Sequence, residues 1–161
     1  MSELEARRAL DYFDPLNRPF WTLIGFSILC GGIVGLERQL RGKPAGVRTS
    51  ILVCLGTSVF IHLGSAIGGP GADPTRVLGQ LVTGIGFLGA GVMLSRDGTV
   101  TGVTTAAVIW VLAAIGVCVG LERYTGALAL AVVTVGVLVG VEFLESSVNW
   151  LTRGAHRRDE D

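Results

Sequence analysis

The sequence predicts an all-α membrane protein built as a bundle of five transmembrane helices, and three observations carry that reading. Half of the 161 residues are hydrophobic and only 16% are charged, with a mean hydropathy of +0.60; an ordinary soluble domain carries about 25% charged residues. The ionised residues fall into short clusters separated by long uncharged stretches. Each stretch has about 18 to 24 residues, which at 1.5 Å per residue crosses a hydrocarbon core of ~30 Å.

The five uncharged runs are Pro19–Leu36, Thr49–Ala72, Val77–Ser95, Gly98–Leu121 and Tyr124–Val141. Residues 1–18 precede them, with capping-box spacing at Ser2 and Glu5 and apolar Leu4, Ala6, Leu10 and Phe13 among charges, up to a stop at Asp14-Pro15. This pattern predicts a short helix lying in the membrane interface, and the segment is too acidic for a basic leader. Residues 19–145 form the transmembrane domain, and residues 146–161 a charged tail too short to be a domain. The 13 basic and 13 acidic residues cancel. With no Lys/Arg-rich block, nucleic acid is not an expected partner. Cys30, Cys54 and Cys118 all lie in apolar runs without metal-ligand spacing, which fits burial better than a disulfide framework or a zinc site.

Glycine sits inside the apolar runs. Small residues four apart let helices approach closely in lipid, and Gly31/Gly35, Gly64/Gly68, Gly116/Gly120 and Gly136/Gly140 show that spacing. Four such pairs also suggest a homodimer, with Gly136 and Gly140 on its face. Gly84, Gly86, Gly89 and Gly91 crowd the third run, where they read as helix packing. Gly84-x-Gly86-x-x-Gly89 is not a dinucleotide fingerprint, because no strand precedes it.

Orientation follows from basic residues in the loops. Arg38, Arg41, Lys43 and Arg48 mark the first connection, whereas Arg76, Arg96 and Arg123 stand singly in the later ones. The first connection and the C-terminus are therefore expected in the cytoplasm and the N-terminus outside. Gly35-Leu36-Glu37-Arg38 recurs as Gly120-Leu121-Glu122-Arg123, but the flanks do not match, so coincidence is the better explanation.

The candidate chemistry lies at the first connection. Glu37 directly follows an apolar run, where a carboxylate needs a guanidinium partner. The turn through Gly42, Pro44 and Gly46 favours Arg48, with Arg38 as the alternative, and Thr49 or Ser50 is suited to cap the second span. Arg76 and Gln80 share one face at the start of the third span. Thr104 and Thr105 open the fourth span with hydroxyls suited to capping, after a tight turn at Asp97-Gly98. Trp110 is expected inside the bundle, and His62 as a hydrogen-bonded core residue. The sequence has no Walker loop, no paired carboxylates at depth and no nucleophile elbow, so an enzyme is not expected.

Three ordered blocks resemble the MgtC/SapB family of bacterial inner-membrane proteins: Gly35-Leu36-Glu37-Arg38 with Ala45-Gly46-Val47-Arg48-Thr49, Arg76 through Gly91, and Gly102-Val103-Thr104-Thr105-Ala106-Ala107 followed by Trp110 to Gly116. The resemblance covers about residues 20 to 145 and implies a compact helical protein of the inner membrane linked to magnesium limitation. No cofactor is expected apart from Mg²⁺ itself; the sequence specifies no metal site, and among its residues Glu37 is the best candidate ligand. Against the longer members, the chain is expected to be a short form without their cytoplasmic C-terminal domain. Two classes of function follow: binding or conduction of Mg²⁺, and regulation of a membrane partner such as an ATP synthase or a cation transporter. Mg²⁺ favours carboxylates, and Glu37, Glu122 and Glu142 all lie near span ends.

Overall fold

A computed structural model describes residues 14–67, 74–96 and 99–155. Its helices are α1 (Arg18–Leu40), α2 (Val47–Ile67), α3 (Pro74–Val92), α4 (Val103–Gly120) and α5 (Tyr124–Ala155). All five are long and apolar enough to cross a membrane. Their ends differ from the uncharged runs by a few residues, because charged and loop-like residues continue the helical hydrogen bonding past the apolar core. The third run gives way at Met93. There a hairpin of β1 (Leu94–Arg96) and β2 (Thr99–Thr101), with Arg96 opposite Thr99, connects α3 to α4. The expected interfacial helix over residues 1–13, the turn at Asp97-Gly98 and the tail beyond Ala155 lie outside the described residues.

α4 is the centre of the bundle: half of it is buried, and it touches each of the other four helices. Leu112, Ile115 and Val119 of α4 pack with Leu23, Cys30 and Val34 of α1, Cys54 of α2, and Ala127 and Ala131 of α5. Burial in lipid gains nothing from apolarity alone, so close backbone approach and hydrogen bonds set this packing. α2 lies between two glycine-bearing faces. A Cβ on Gly31 would stand 2.8 Å from the Ile51 Cα, and one on Gly116 only 2.6 Å from the Cys54 carbonyl oxygen. Gly35 and Gly120 make the same kind of contact against Val47 and Ser58. Two of the four glycine pairs are thus helix contacts.

The remaining glycines behave differently. Gly64 meets the Val77 side chain and Gly89 meets Trp110, whereas Cβ atoms at Gly84, Gly86, Gly91, Gly136 and Gly140 would meet nothing within 4 Å. The glycines of α3 are therefore not packing residues within this chain, Gly89 excepted. Only 11% of α3 and of α5 is buried, so both are peripheral. Trp110 is 44% exposed and turns outward, because the interior of α4 is already filled by its opposite face.

Small polar side chains are buried along α2 and satisfied locally. Ser58 Oγ lies 2.9 Å from Ser27 Oγ, and the Cys54 thiol donates to the Leu112 carbonyl. His62 Nδ1 lies 3.2 Å from the Gly120 carbonyl oxygen.

Candidate functional site

Helix alternation brings the end of α1, the start of α4 and the later part of α5 to one membrane boundary. α1 stops there through a hydrogen-bonded cap: Lys43 N–H donates to Arg38 C=O, and Gly42 N–H to Gln39 C=O, with Gly42 at φ +62. This is the Schellman arrangement, which favours glycine at the left-handed position. The chain then turns through Ala45, at φ +58, into α2. The first-turn Val47 N–H is taken by the Gln39 side chain, while the Ser50 hydroxyl donates to Ala45 C=O. Thr49 is exposed, so neither Thr49 nor Ser50 is the cap expected of them.

Four charged side chains from this turn region and α5 define the site. Glu37 Oε1 accepts from Arg41 Nε at 2.7 Å, and Arg41 Nη1 also pairs with Glu142 of α5. One guanidinium thus serves two carboxylates. Arg48 is exposed, and neither it nor Arg38 pairs with Glu37. The reason is local. α1 continues as helix to Leu40, so Arg41, four residues after Glu37, lies on its face, whereas Arg48 leaves on the outer side of α2.

Arg38 faces the bundle instead. It is buried, and its Nη2 donates to Thr105 Oγ1 at 2.8 Å and approaches Pro44 C=O at 3.5 Å. Thr105 therefore accepts a side-chain bond and is not a cap. Gly102, at φ +88, precedes α4 without any side-chain cap, and a Cβ there would collide with the Val92 carbonyl. Thr104 is exposed. Two buried polar atoms in this cluster have no hydrogen-bond partner, Glu37 Oε2 and Arg38 Nε.

Arg76 and Gln80 are both exposed at the opposite end of the bundle, since α3 starts where α1 starts. Gln80 borders an apolar groove of about 680 Å³ between α2 and α3, shared with Thr49, Thr57 and Gly84. The site thus unites Glu37, Arg38 and Thr105, and leaves Arg48, Thr49, Thr104, Arg76 and Gln80 outside it. The sequence reading missed Arg41 and Glu142 as partners. The four-residue spacing of Glu37 and Arg41 was the available signal; nothing local announces Glu142.

Several known proteins are similar to this chain. YhiD of Escherichia coli K12, whose name proposes a magnesium transporter, is 43% identical over 123 residues, covering 72% of this chain and 57% of YhiD. Protein MgtC of Brucella abortus strain 2308 is 41% identical over 146 residues, 91% of this chain and 59% of that protein. Protein MgtC of Salmonella typhimurium strain 14028s is 45% identical over 107 residues, 66% of this chain and 46% of that protein. The chain therefore matches about half the length of these relatives. No solved structure matches. The family model described as the MgtC family spans residues 24–147, from the first helix through the Glu142 contact, and this chain belongs to the MgtC family.

Proposed function

We propose that this multi-pass membrane protein serves magnesium homeostasis as a non-catalytic regulatory subunit, with the Glu37–Arg41–Glu142 cluster as its functional centre. The observation that carries the reading is the pairing of Arg41 with both boundary carboxylates. A guanidinium shared by two carboxylates offsets one of their two charges and occupies oxygens that would otherwise draw a hydrated divalent cation, and it ties α1 to α5. A partner that competes for Glu142, which is half exposed, would be felt directly at the end of α1. Family membership and the magnesium-transporter name of YhiD support the physiological context.

Conduction of Mg²⁺ is the second reading. The buried Glu37 Oε2 without a partner favours it, as an oxygen free to take a cation. Liposomes holding the purified chain and a Mg²⁺ indicator separate the two: the regulatory reading expects no flux above empty liposomes, and flux abolished by Glu37→Gln establishes conduction. The basic residues at Arg38–Arg48 support an inner-membrane orientation with this boundary in the cytoplasm. Reporter fusions at Gly42 and after Arg158 are expected to report cytoplasm; a periplasmic signal at Gly42 inverts the topology.

A further inference from the structure

Charge at the α1 boundary is distributed unevenly. Arg41 holds two carboxylates, whereas Arg38, with only 4% of its surface exposed, has only neutral oxygens on its guanidinium, the Thr105 hydroxyl and the Pro44 carbonyl. Its Nε is buried with no partner. A cation buried on these terms is costly. Thr105 is the third residue of α4, so the guanidinium lies against the positive end of an 18-residue helix. That end has no acidic residue in its first turn and no side-chain cap. The N–H groups of Val103, Thr104 and Thr105 have no acceptor within the helix, and among the described residues no other group takes them.

Two sources of positive potential thus converge, and among the described residues no carboxylate oxygen bonds to either of them. We propose that Arg38 and the first turn of α4 form a binding site for a phosphate group. A phosphate accepts from a guanidinium on two oxygens and from helix N-terminal N–H groups on a third. Arg38 lies two residues before the end of α1, about 3 Å along the axis, near the end of an apolar span. Leu40 at the end of α1, Leu94 in the hairpin and Val103 at the start of α4 are exposed at 79%, 66% and 56%, and offer apolar surface to acyl chains. Both a lipid headgroup and a free phosphate ion have the required chemistry. One oxygen of Glu37 is held by Arg41, which offsets part of the carboxylate's charge beside the ligand.

The test is thermal denaturation of the purified full chain in detergent, in phosphate-free buffer of constant ionic strength, with added phosphatidylglycerol in one arm and inorganic phosphate in the other. A raised melting midpoint with phosphatidylglycerol alone identifies a lipid site; one with inorganic phosphate identifies a free-ion site, and either upholds the proposal. Arg38→Gln is expected to weaken the response at least ~10-fold. Should that variant not fold, Thr104→Glu decides the matter. It places a carboxylate in the first turn of α4 at an exposed position, and is expected to raise the ligand-free midpoint while abolishing the response. No shift in the wild-type chain with either probe overturns the proposal, as does an undiminished shift in Thr104→Glu. So does an equal loss of ligand-free stability in Arg38→Gln and Asp97→Asn, because the chain's own carboxylate would then be the counter-ion.

Discussion

Arg38 Nη2 donates to Thr105 Oγ1 at 2.8 Å across 67 residues of sequence, so the last turn of the first helix is bonded to the first turn of the fourth. The bond is buried at both ends. Replacing Thr105 by Val keeps the shape and removes the acceptor. Leaving a buried guanidinium short of an acceptor is expected to cost about 1–2 kcal/mol, seen as a lower denaturation midpoint in detergent. An unchanged midpoint would mean that water replaces the hydroxyl.

Gly116 and Gly136 lie on two helices and differ in what surrounds them. A Cβ on Gly116 would overlap the Cys54 backbone, whereas one on Gly136 meets nothing. Gly116→Ala is therefore expected to destabilise by about 1–3 kcal/mol or more through overpacking of backbone against backbone. Gly136→Ala should be neutral or slightly stabilising, within about 1 kcal/mol, by helix propensity. Melting curves of the two variants side by side check the difference; equal effects would refute the packing of α2 between α1 and α4.

The arginines around Glu37 are not equivalent. Arg41→Lys is expected to impair growth of a complemented deletion strain in low magnesium, because an ammonium cannot reproduce one guanidinium spanning Glu37 and Glu142. Arg48→Lys should grow normally, since Arg48 is exposed and outside the cluster. Glu37→Gln is expected to lose function with membrane levels close to wild type. Full growth of Glu37→Gln at normal protein levels would remove the cluster from the function.

Open glycine faces leave room for a second copy of the chain. Gly136→Ile with Gly140→Ile is expected to weaken self-association in detergent, measured by light scattering on a sizing column, because bulky side chains would keep two α5 helices from close approach. A wild-type chain that is monomeric at every concentration ends the homodimer proposal.

The five spans were legible because lipid permits few alternatives to a helix, and because charge interrupts apolar sequence only where helices leave the membrane. Glu37 and Arg38 were legible for the same reason: charges abutting a span stand out. Their partners were not. Whether Glu37 meets Arg41 or Arg48 depends on where α1 ends, and the Schellman turn at Gly42 postpones that end by four residues beyond the apolar run. The recurrent Gly-Leu-Glu-Arg segment makes the same point. The first copy stays helical, whereas in the second Glu122 itself takes the left-handed position, at φ +60, and closes α4. The hairpin after α3 was hidden because three-residue strands carry too little alternation to be distinguished from a loop. Trp110 was misplaced because aromatic depth along a span gives no information on which side of the helix faces lipid.

The glycine contacts on both sides of α2 also constrain how this protein can move. With Gly31 and Gly35 against one side and Gly116 and Gly120 against the other, a slide or roll of α2 by even half a residue drives backbone into backbone. Helices α1, α2 and α4 must therefore travel as one rigid slab. Any conformational cycle is left to the two loosely seated outer helices. α5 is secured to the slab near the end of α1 by the Arg41–Glu142 pair, and α3 is tethered through the hairpin whose exit, Gly102, is wedged against Val92. The moving parts of this protein are its periphery, and the polar latch that holds α5 is within reach of solvent.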